Sequence, residues 1–365
     1  MMNIKYGKVT EVIIEKKKVT EVYVDVEGKK QKAINYNHLT GDIKIDDSVL
    51  LNTTAIDLGL GTGGYHFVIC NLDRPERSIS SKGHIMKLRY TPYQLKVFAA
   101  EEQESEYHHV FHDFQSLLGM PVIVGTLHSM LPAIIETLIS LDPNIRIAYI
   151  MTDGAALPLD LSNLVFDLKE NKKLCGTVTI GHAFGGDLEC VNIYNGLIAT
   201  KEILKADITV ITMGPGIVGT GTKYGFTGIE QGNIVDAVTD LGGTPIAIPR
   251  ISFTDQRPRH QGISHHSITV LDTICKTSAI VGIPIFEGMK HRFIEDQLMQ
   301  TTIAQKHQIT FRECEDIHGF LLNSSIKMKT MGRNLHQEIE FFTTAGLAGK
   351  LAIELLTGRL CKLVR

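Results

Sequence analysis

The chain has 365 residues, 43% of them hydrophobic and 21% charged, with a formal net charge of -3. These values describe an ordinary globular protein, long enough for two domains. They argue against bulk attraction to nucleic acid or an anionic membrane, and no apolar run reaches the roughly 18 residues of a spanning helix.

The N-terminus, "MMNIKYGKVTEV", alternates like a strand and lacks the apolar core of a signal peptide, so a cytoplasmic location is expected. Val9, Val12 and Ile14 are followed, after a basic turn, by Val19, Val22, Val24 and Val26, and "EGKK" at 27–30 is a hairpin turn. Ile43 and Ile45 alternate after a turn at Gly41-Asp42, Val49 to Leu51 form a short strand, and a glycine-rich turn leads into Tyr65 to Ile69. So many short strands predict a small barrel or curled sheet. Its lack of basic residues interleaved with aromatics favours scaffolding or dimerisation over oligonucleotide binding. Asp73 to Gly83 reads as a linker, with a boundary near residue 80. Residues 95–118 show helical spacing at Val97, Phe98, Val110, Phe111, Phe114 and Leu118, which would bring His108 and His112 to one face.

From residue 121 a pattern repeats. The apolar runs "MPVIVG", "IRIAYIM", "CGTVTIG", "ADITVITM", "GTPIAIPRI" and "SAIVGIPI" each end in small or polar residues. Helical stretches at 132–139, 188–204 and 229–241 lie between them. Continuous apolar strands alternating with amphipathic helices imply an α/β fold: a mostly parallel, doubly wound, Rossmann-like sheet. Closure into an eight-stranded barrel is the alternative. The chain therefore divides into a strand-rich, barrel-like domain with linker (1–80) and an α/β domain with a ligand cleft (81–365). "HQITFRECEDIH" adds a strand with Ile309 and Phe311 inward. Residues 335–356 form a long helix whose Gly346, Ala348 and Gly349 permit close packing, within the fold or across a homodimer.

Ligands of open α/β sheets bind beyond the carboxyl ends of the strands. His128, Ser129, Asp153, His182, Asp187, the loop from Gly214 and Asp255 all follow such ends. The stretch "MGPGIVGTGTKYGFTG" at 213–228 contains six glycines, three threonines and one lysine. Backbone N–H groups freed by Gly214, Gly216, Gly219 and Gly221, the hydroxyls of Thr220 and Thr222, and the charge of Lys223 suit a phosphate or carboxylate. The order of lysine and hydroxyl departs from the nucleotide phosphate loop. A second dense stretch, "SFTDQRPRHQGISHHSITVLDTI", supplies Arg257 and Arg259, whose planar forks match anions, and His260, His265 and His266 near a helix that Ser264 or Ser267 would cap.

For catalysis, Asp153 or Asp255 would orient or accept a proton and His182 or His265 would transfer it. For a divalent metal cofactor, the candidate ligands are His128, Asp153, His182, Asp187, Asp255 and His265, none with the tight spacing of an established metal motif. A serine triad at "GTLHSMLP" is disfavoured, since the flanks lack the nucleophile elbow and Ser129 reads as a cap for the helix near Pro132. The cysteines at 70, 175, 190, 275, 314 and 361 have no CxxC spacing and read as free thiols.

With "GPGIVGTGTKYGFTG" and "RPRHQGISHHS" in hand, the chain resembles an uncharacterised bacterial family catalogued as a domain of unknown function. The resemblance implies a bacterial, soluble protein and supplies no reaction. The residues themselves favour an enzyme acting on a small anionic metabolite, such as a phosphate ester or nucleotide, by His/Asp acid–base or metal-assisted chemistry. A regulatory small-molecule-binding module and a structural assembly protein are the alternatives.

Overall fold

A computed structural model describes residues 1–16, 18–61, 63–76 and 82–361. The expected linker at 73–83 therefore lies partly outside the described residues. The fold has two compact units, one of residues 1–82 and 88–96, the other of residues 83–87 and everything from 97 on.

The first unit is a closed five-stranded barrel. Its strands β1 (Ile4–Glu15), β2 (Val19–Val26), β3 (Lys29–Tyr36), β4 (Ser48–Asn52) and β5 (Tyr65–Asn71) close in the order β1-β2-β3-β5-β4, antiparallel except for the parallel β3–β5 pair. The hairpin between β2 and β3 turns at Glu27 and Gly28, both at positive φ (54° and 77°), the backbone twist that two-residue hairpins require. Alternation buries Val9, Val22, Val24, Val26, Val49 and Leu51 inside. The short helices α1 (Asn37–Thr40) and α2 (Thr54–Asp57) interrupt it. Ile43 and Ile45, expected in a strand, lie outside regular structure.

The strands β6 (Ile85–Lys87) and β7 (Leu95–Val97) follow. The helix expected over 95–118 does not form: apart from β7, the segment has only the five-residue helix α3 (His108–His112). Its apolar positions flank a polar middle, so no continuous stripe exists to bury. The Glu102 carboxylate instead accepts the N–H groups of Ala99 and His84, both at 2.7 Å, and stabilises an irregular turn. His108 Nδ1 is held by the Glu101 carbonyl at 2.7 Å.

The second unit is built on eight parallel strands: β8 (Pro121–Val124), β9 (Ile147–Thr152), β10 (Gly176–Thr179), β11 (Leu188–Glu189), β12 (Ile208–Met213), β13 (Thr244–Ala247), β16 (Ile280–Pro284) and β17 (Gln308–Arg312). The short strands β14 (Ile251–Ser252) and β15 (Gly262–Ile263) pair separately. The sheet order is β11-β10-β9-β12-β8-β13-β16-β17. It is open, with edges at β11 and β17, so the closed eight-stranded alternative is excluded. Every residue of β8, β9, β10, β12, β13 and β16 is buried, as expected of strands covered on both faces. The two residues of β11 correct the helix expected at 188–204. That helix, α6 (Ile193–Ile198), starts only after Asn192, whose side chain caps Asn195 N–H at 3.1 Å, and continues as a π-helix over Ala199–Ile203.

Helices cover both faces. In chain order they are α4 (Leu131–Leu141), α5 (Asn163–Glu170), α6, α7 (Glu230–Asp240), α8 (His265–Ile268), α9 (Met289–Met299), α10 (Ile303–Lys306), α11 (Glu315–Leu322) and α12 (Ile339–Leu356). One core joins α4, α11 and α12 to the sheet through Ile134, Phe341, Phe342 and Leu351; the other joins α6, α7 and α9 through Leu197, Val235 and Ile294. The small residues of α12 serve packing within the fold. A Cβ on Gly346 would lie 2.7 Å from Ile317 Cγ2 and Thr137 Oγ1, and one on Gly349 would lie 3.1 Å from the Ile134 carbonyl. The described cysteines are free.

Candidate functional site

Strand order locates the site. The chain begins the sheet at β8, builds outward through β9, β10 and β11, returns to insert β12 beside β8, then crosses to β13 on its other side. The carboxyl ends of β8, β12 and β13 therefore surround a topological switch point, where connecting loops diverge and leave a crevice. Gln231, buried on α7, braces this point by donating to the carbonyls of Val124 (2.7 Å) and Ile248 (3.0 Å) at the ends of β8 and β13.

A cleft of about 360 Å³ opens there. Thr126 and Leu127 after β8, Gly219, Gly221 and Phe226 of the glycine-rich loop after β12, and Arg250, Arg257, Arg259, His260 and His266 after β13 line it. Asp255, only 3% exposed, organises the arginines. Its Oδ2 accepts from Arg250 Nη2 at 3.0 Å and Arg257 Nη2 at 2.8 Å, and its Oδ1 accepts from Arg257 Nε at 2.9 Å. Arg333 pairs with the buried Glu338 and lies 3.9 Å from Asp255 Oδ2. The fork of Arg257, despite the opposing cost of burial, holds the Asp255 carboxyl far below the usual carboxylate range. Among the described residues, Arg250 retains a buried Nη1 with no hydrogen-bond partner, and Arg259, which makes no ion pair there, lies beside Gly221.

Three histidines complete the site. Ser264 caps α8 and accepts from His266 N–H, so His265 and His266 open that helix while His260 packs back against them. Ring centroids are 4.1 Å apart for His265–His266, 5.0 Å for His260–His265 and 5.2 Å for His260–His266. His260 Nδ1 hydrogen-bonds Ser264 Oγ at 2.8 Å. His266 stacks on Phe226 with centroids 4.0 Å apart and planes at 11°. Burial, followed by the positive charge of Arg250 and Arg257, pushes His260 down to about 3. Burial, followed by His265 and Arg250, pushes His266 down to about 4. His265 is lowered as well, by burial and then Arg259. All three imidazoles are therefore neutral near pH 7, with lone pairs available to a proton or a metal.

The glycine loop is divided between two clefts. Gly219 and Gly221 line the arginine–histidine cleft, whereas Gly214 and Gly216 line a neighbouring cleft of about 370 Å³ with His128, Ser129 and Lys329. Positive φ at Gly216 (111°) and Gly221 (77°) makes the two bends. A Cβ on Gly219 would approach His266 Cε1 to 3.1 Å, so glycine there lets the loop lie against the imidazole. The threonine hydroxyls turn inward: Thr220 Oγ1 meets Thr222 Oγ1 at 2.9 Å, and Thr222 Oγ1 accepts Gly225 N–H at 3.2 Å. Lys223 lies over the Tyr224 ring at 5.3 Å.

The remaining expected residues lie elsewhere. His128 Nε2 meets Ser162 Oγ at 2.7 Å and its Nδ1 meets Tyr149 Oη at 3.1 Å, with burial lowering it to about 4. Ser129 Oγ bonds Thr330 Oγ1 at 2.9 Å and does not cap α4, whose N-terminus carries no side-chain cap. Asp153 Oδ2 accepts His182 N–H at 2.9 Å. Asp187, just before the edge strand β11, pairs with Lys169 at 2.5 Å and accepts from Thr177 of β10. Sequence reasoning singled out His265 from its triplet and passed over Arg250, Phe226 and Glu230. The spacing "HQGISHH" was the available signal for the triplet; Arg250 lay hidden at the end of an apolar run.

Among the described residues no helix is long and apolar enough to cross a membrane. No curated protein matches the chain closely enough to lend it a reaction. A match spanning residues 32–349 shows that the chain belongs to the family described as protein of unknown function (DUF3866).

Proposed function

We propose that the protein is an enzyme acting on a small phosphate-bearing metabolite, a phosphate ester or nucleotide, held between the arginines and the Gly219–Gly221 bend. The observation that carries this reading is Arg250: a buried guanidinium lining the cleft beside Arg257 and Arg259, with Nη1 unsatisfied. A buried cation with spare donors is costly unless an anion completes it, and the planar fork suits phosphate. Asp255 acts as the clamp that orients Arg250 and Arg257; a carboxylate so strongly stabilised is a poor base. Proton transfer falls to the imidazoles. A bound dianion offsets the arginine field and returns their basicity toward neutral pH, so the capacity to move a proton develops with the ligand in place. Lys223 at the loop tip and the loop N–H groups add long-range attraction.

Equilibrium binding of inorganic phosphate, sugar phosphates, nucleotides and dicarboxylates, followed by turnover assays on the best ligand, tests the reading. Phosphate-bearing compounds are expected to bind, and Arg257→Ala with Arg259→Ala to weaken them at least about 100-fold, as loss of charged hydrogen bonds does. Binding unchanged in that double variant overturns the anion site. A ligand that binds yet stays chemically intact with every co-substrate overturns the enzyme.

A further inference from the structure

We propose that His260, His265 and His266 form a three-nitrogen site for one divalent first-row transition-metal ion, with a phosphate oxygen from the cleft as its fourth ligand. One ligand atom from each of the three side chains lies within 4.8 Å of the others. Tetrahedral coordination at about 2.0–2.1 Å places nitrogens about 3.4 Å apart, inside that span.

The surroundings hold two of the three rings. His260 Nδ1–H donates to Ser264 Oγ in the tautomer that leaves the Nε2 lone pair as its ligand atom. Phe226 fixes the plane of His266. This is the outer-shell support that orients imidazole ligands in metal sites. The Nε2 atoms of His265 and His266 are both sealed from solvent and have no hydrogen-bond partner among the described residues. Two unsatisfied ring nitrogens packed together with a third imidazole are unfavourable without something between them, and a metal ion supplies what a single proton cannot share three ways. An all-nitrogen set selects Zn²⁺, Co²⁺ or Fe²⁺ over Mg²⁺ and Ca²⁺, which require oxygen ligands.

The same geometry sets the order of events. Arg250, Arg257 and Arg259 oppose a bare dication, while an oxyanion bridging metal and arginines cancels that repulsion. Metal and phosphate therefore bind with positive coupling, and each raises the affinity of the other by the same factor. This step rests on the proposed anion site for the fourth ligand alone; with a metal bound the three imidazoles serve as ligands, and metal-assisted chemistry takes the place of their proton transfer.

The test uses full-length protein stripped with a chelator, titrated with Co²⁺ and followed by its visible spectrum, with Zn²⁺ measured by equilibrium dialysis. One ion per chain and the intense bands of four-coordinate Co²⁺ are expected, tightened about tenfold or more by inorganic phosphate. His260→Ala and His266→Ala are each expected to weaken binding at least about 100-fold, and Ser264→Ala about tenfold, in the range of outer-shell losses. Thermal melts of the variants separate lost ligation from lost folding, and the wild-type Co²⁺ spectrum needs no variant. Absence of a stoichiometric ion in wild type overturns the site, as does metal binding that survives His266→Ala in a folded protein. Phosphate binding by the stripped protein, lost in the Arg257→Ala and Arg259→Ala variant, reports on the anion reading independently, so either can fail while the other stands.

Discussion

Two groups of ionisable side chains sit at the carboxyl edge of the same sheet and are poised in opposite ways. Beside β12 and β13, three arginines surround imidazoles that stay unprotonated. Glu230, at the start of α7, lies beside Asp153, which follows β9: burial, opposed by a hydrogen bond from Thr152 and reinforced by the negative charge of Asp153, raises its carboxyl to about 7, so that it is half-protonated near neutral pH. The glycine-rich loop runs between them, with Pro215 carbonyl accepting Ala156 N–H at 3.0 Å at one end and Gly219 against His266 at the other. Burial is the leading cause at both poles, and like charge adds to it. Positive charge dominates the first pole and negative charge the second, which is the basis for proposing the anion site on the arginine side.

Arg250→Ala should break the contrast most severely. Asp255 would lose one partner of a buried ion pair, at a cost of about 3 kcal/mol in stability, and phosphate affinity should fall at least about 100-fold. A melt combined with phosphate titration checks both. Adding Asp255→Ala should restore part of the stability and none of the binding; recovered binding would show that the cleft does not use Arg250.

Glu230→Gln sharpens the acidic pole. The folded-state pKa, near 7, exceeds the ordinary 4.5. The protonated carboxyl thus contributes stability in full below pH 4.5, and that contribution is lost as pH rises toward 7. Glutamine mimics the protonated form at every pH. The variant should be more stable than wild type at pH 8, by about 2 kcal/mol, and indistinguishable at pH 4.5. Equal stability of the two proteins across this range would refute the protonated carboxyl.

His260 gives the opposite slope. Its folded pKa, about 3, lies below the ordinary 6.5. The unfolded chain takes up the proton first as pH falls, so stability is lost between pH 6.5 and 3. In metal-stripped protein His260→Gln should flatten urea-measured stability over this window by about 1 kcal/mol per pH unit. An unaltered slope would place the titration elsewhere. The smallest effect is expected for Asp187→Asn, a change of under about 1 kcal/mol in stability with phosphate affinity unaltered. A loss of affinity there would extend the site to the sheet edge at β11.

Much of this architecture was written in local patterns. Period-two alternation specified the barrel strands because each side chain's face depends only on its own position along the strand, and unbroken apolar runs marked β8, β9, β10, β12, β13 and β16 because both faces of a parallel sheet are covered. The glycine loop and "RPRHQGISHH" announced a glycine-, arginine- and imidazole-rich region through composition alone. Tertiary structure decided the rest. Strand order, set by crossovers between distant segments, put the ends of β8, β12 and β13 around one crevice and left Asp187 at an edge. Whether Asp255 stood alone or inside an arginine network depended on Arg250 and Arg257 reaching it. Whether three histidines form one cluster depended on the turn between β14 and α8 folding His260 back over His265 and His266. A sequence specifies which groups exist and how their neighbours bend the chain, while charge states and ligand geometry depend on distances that only packing fixes.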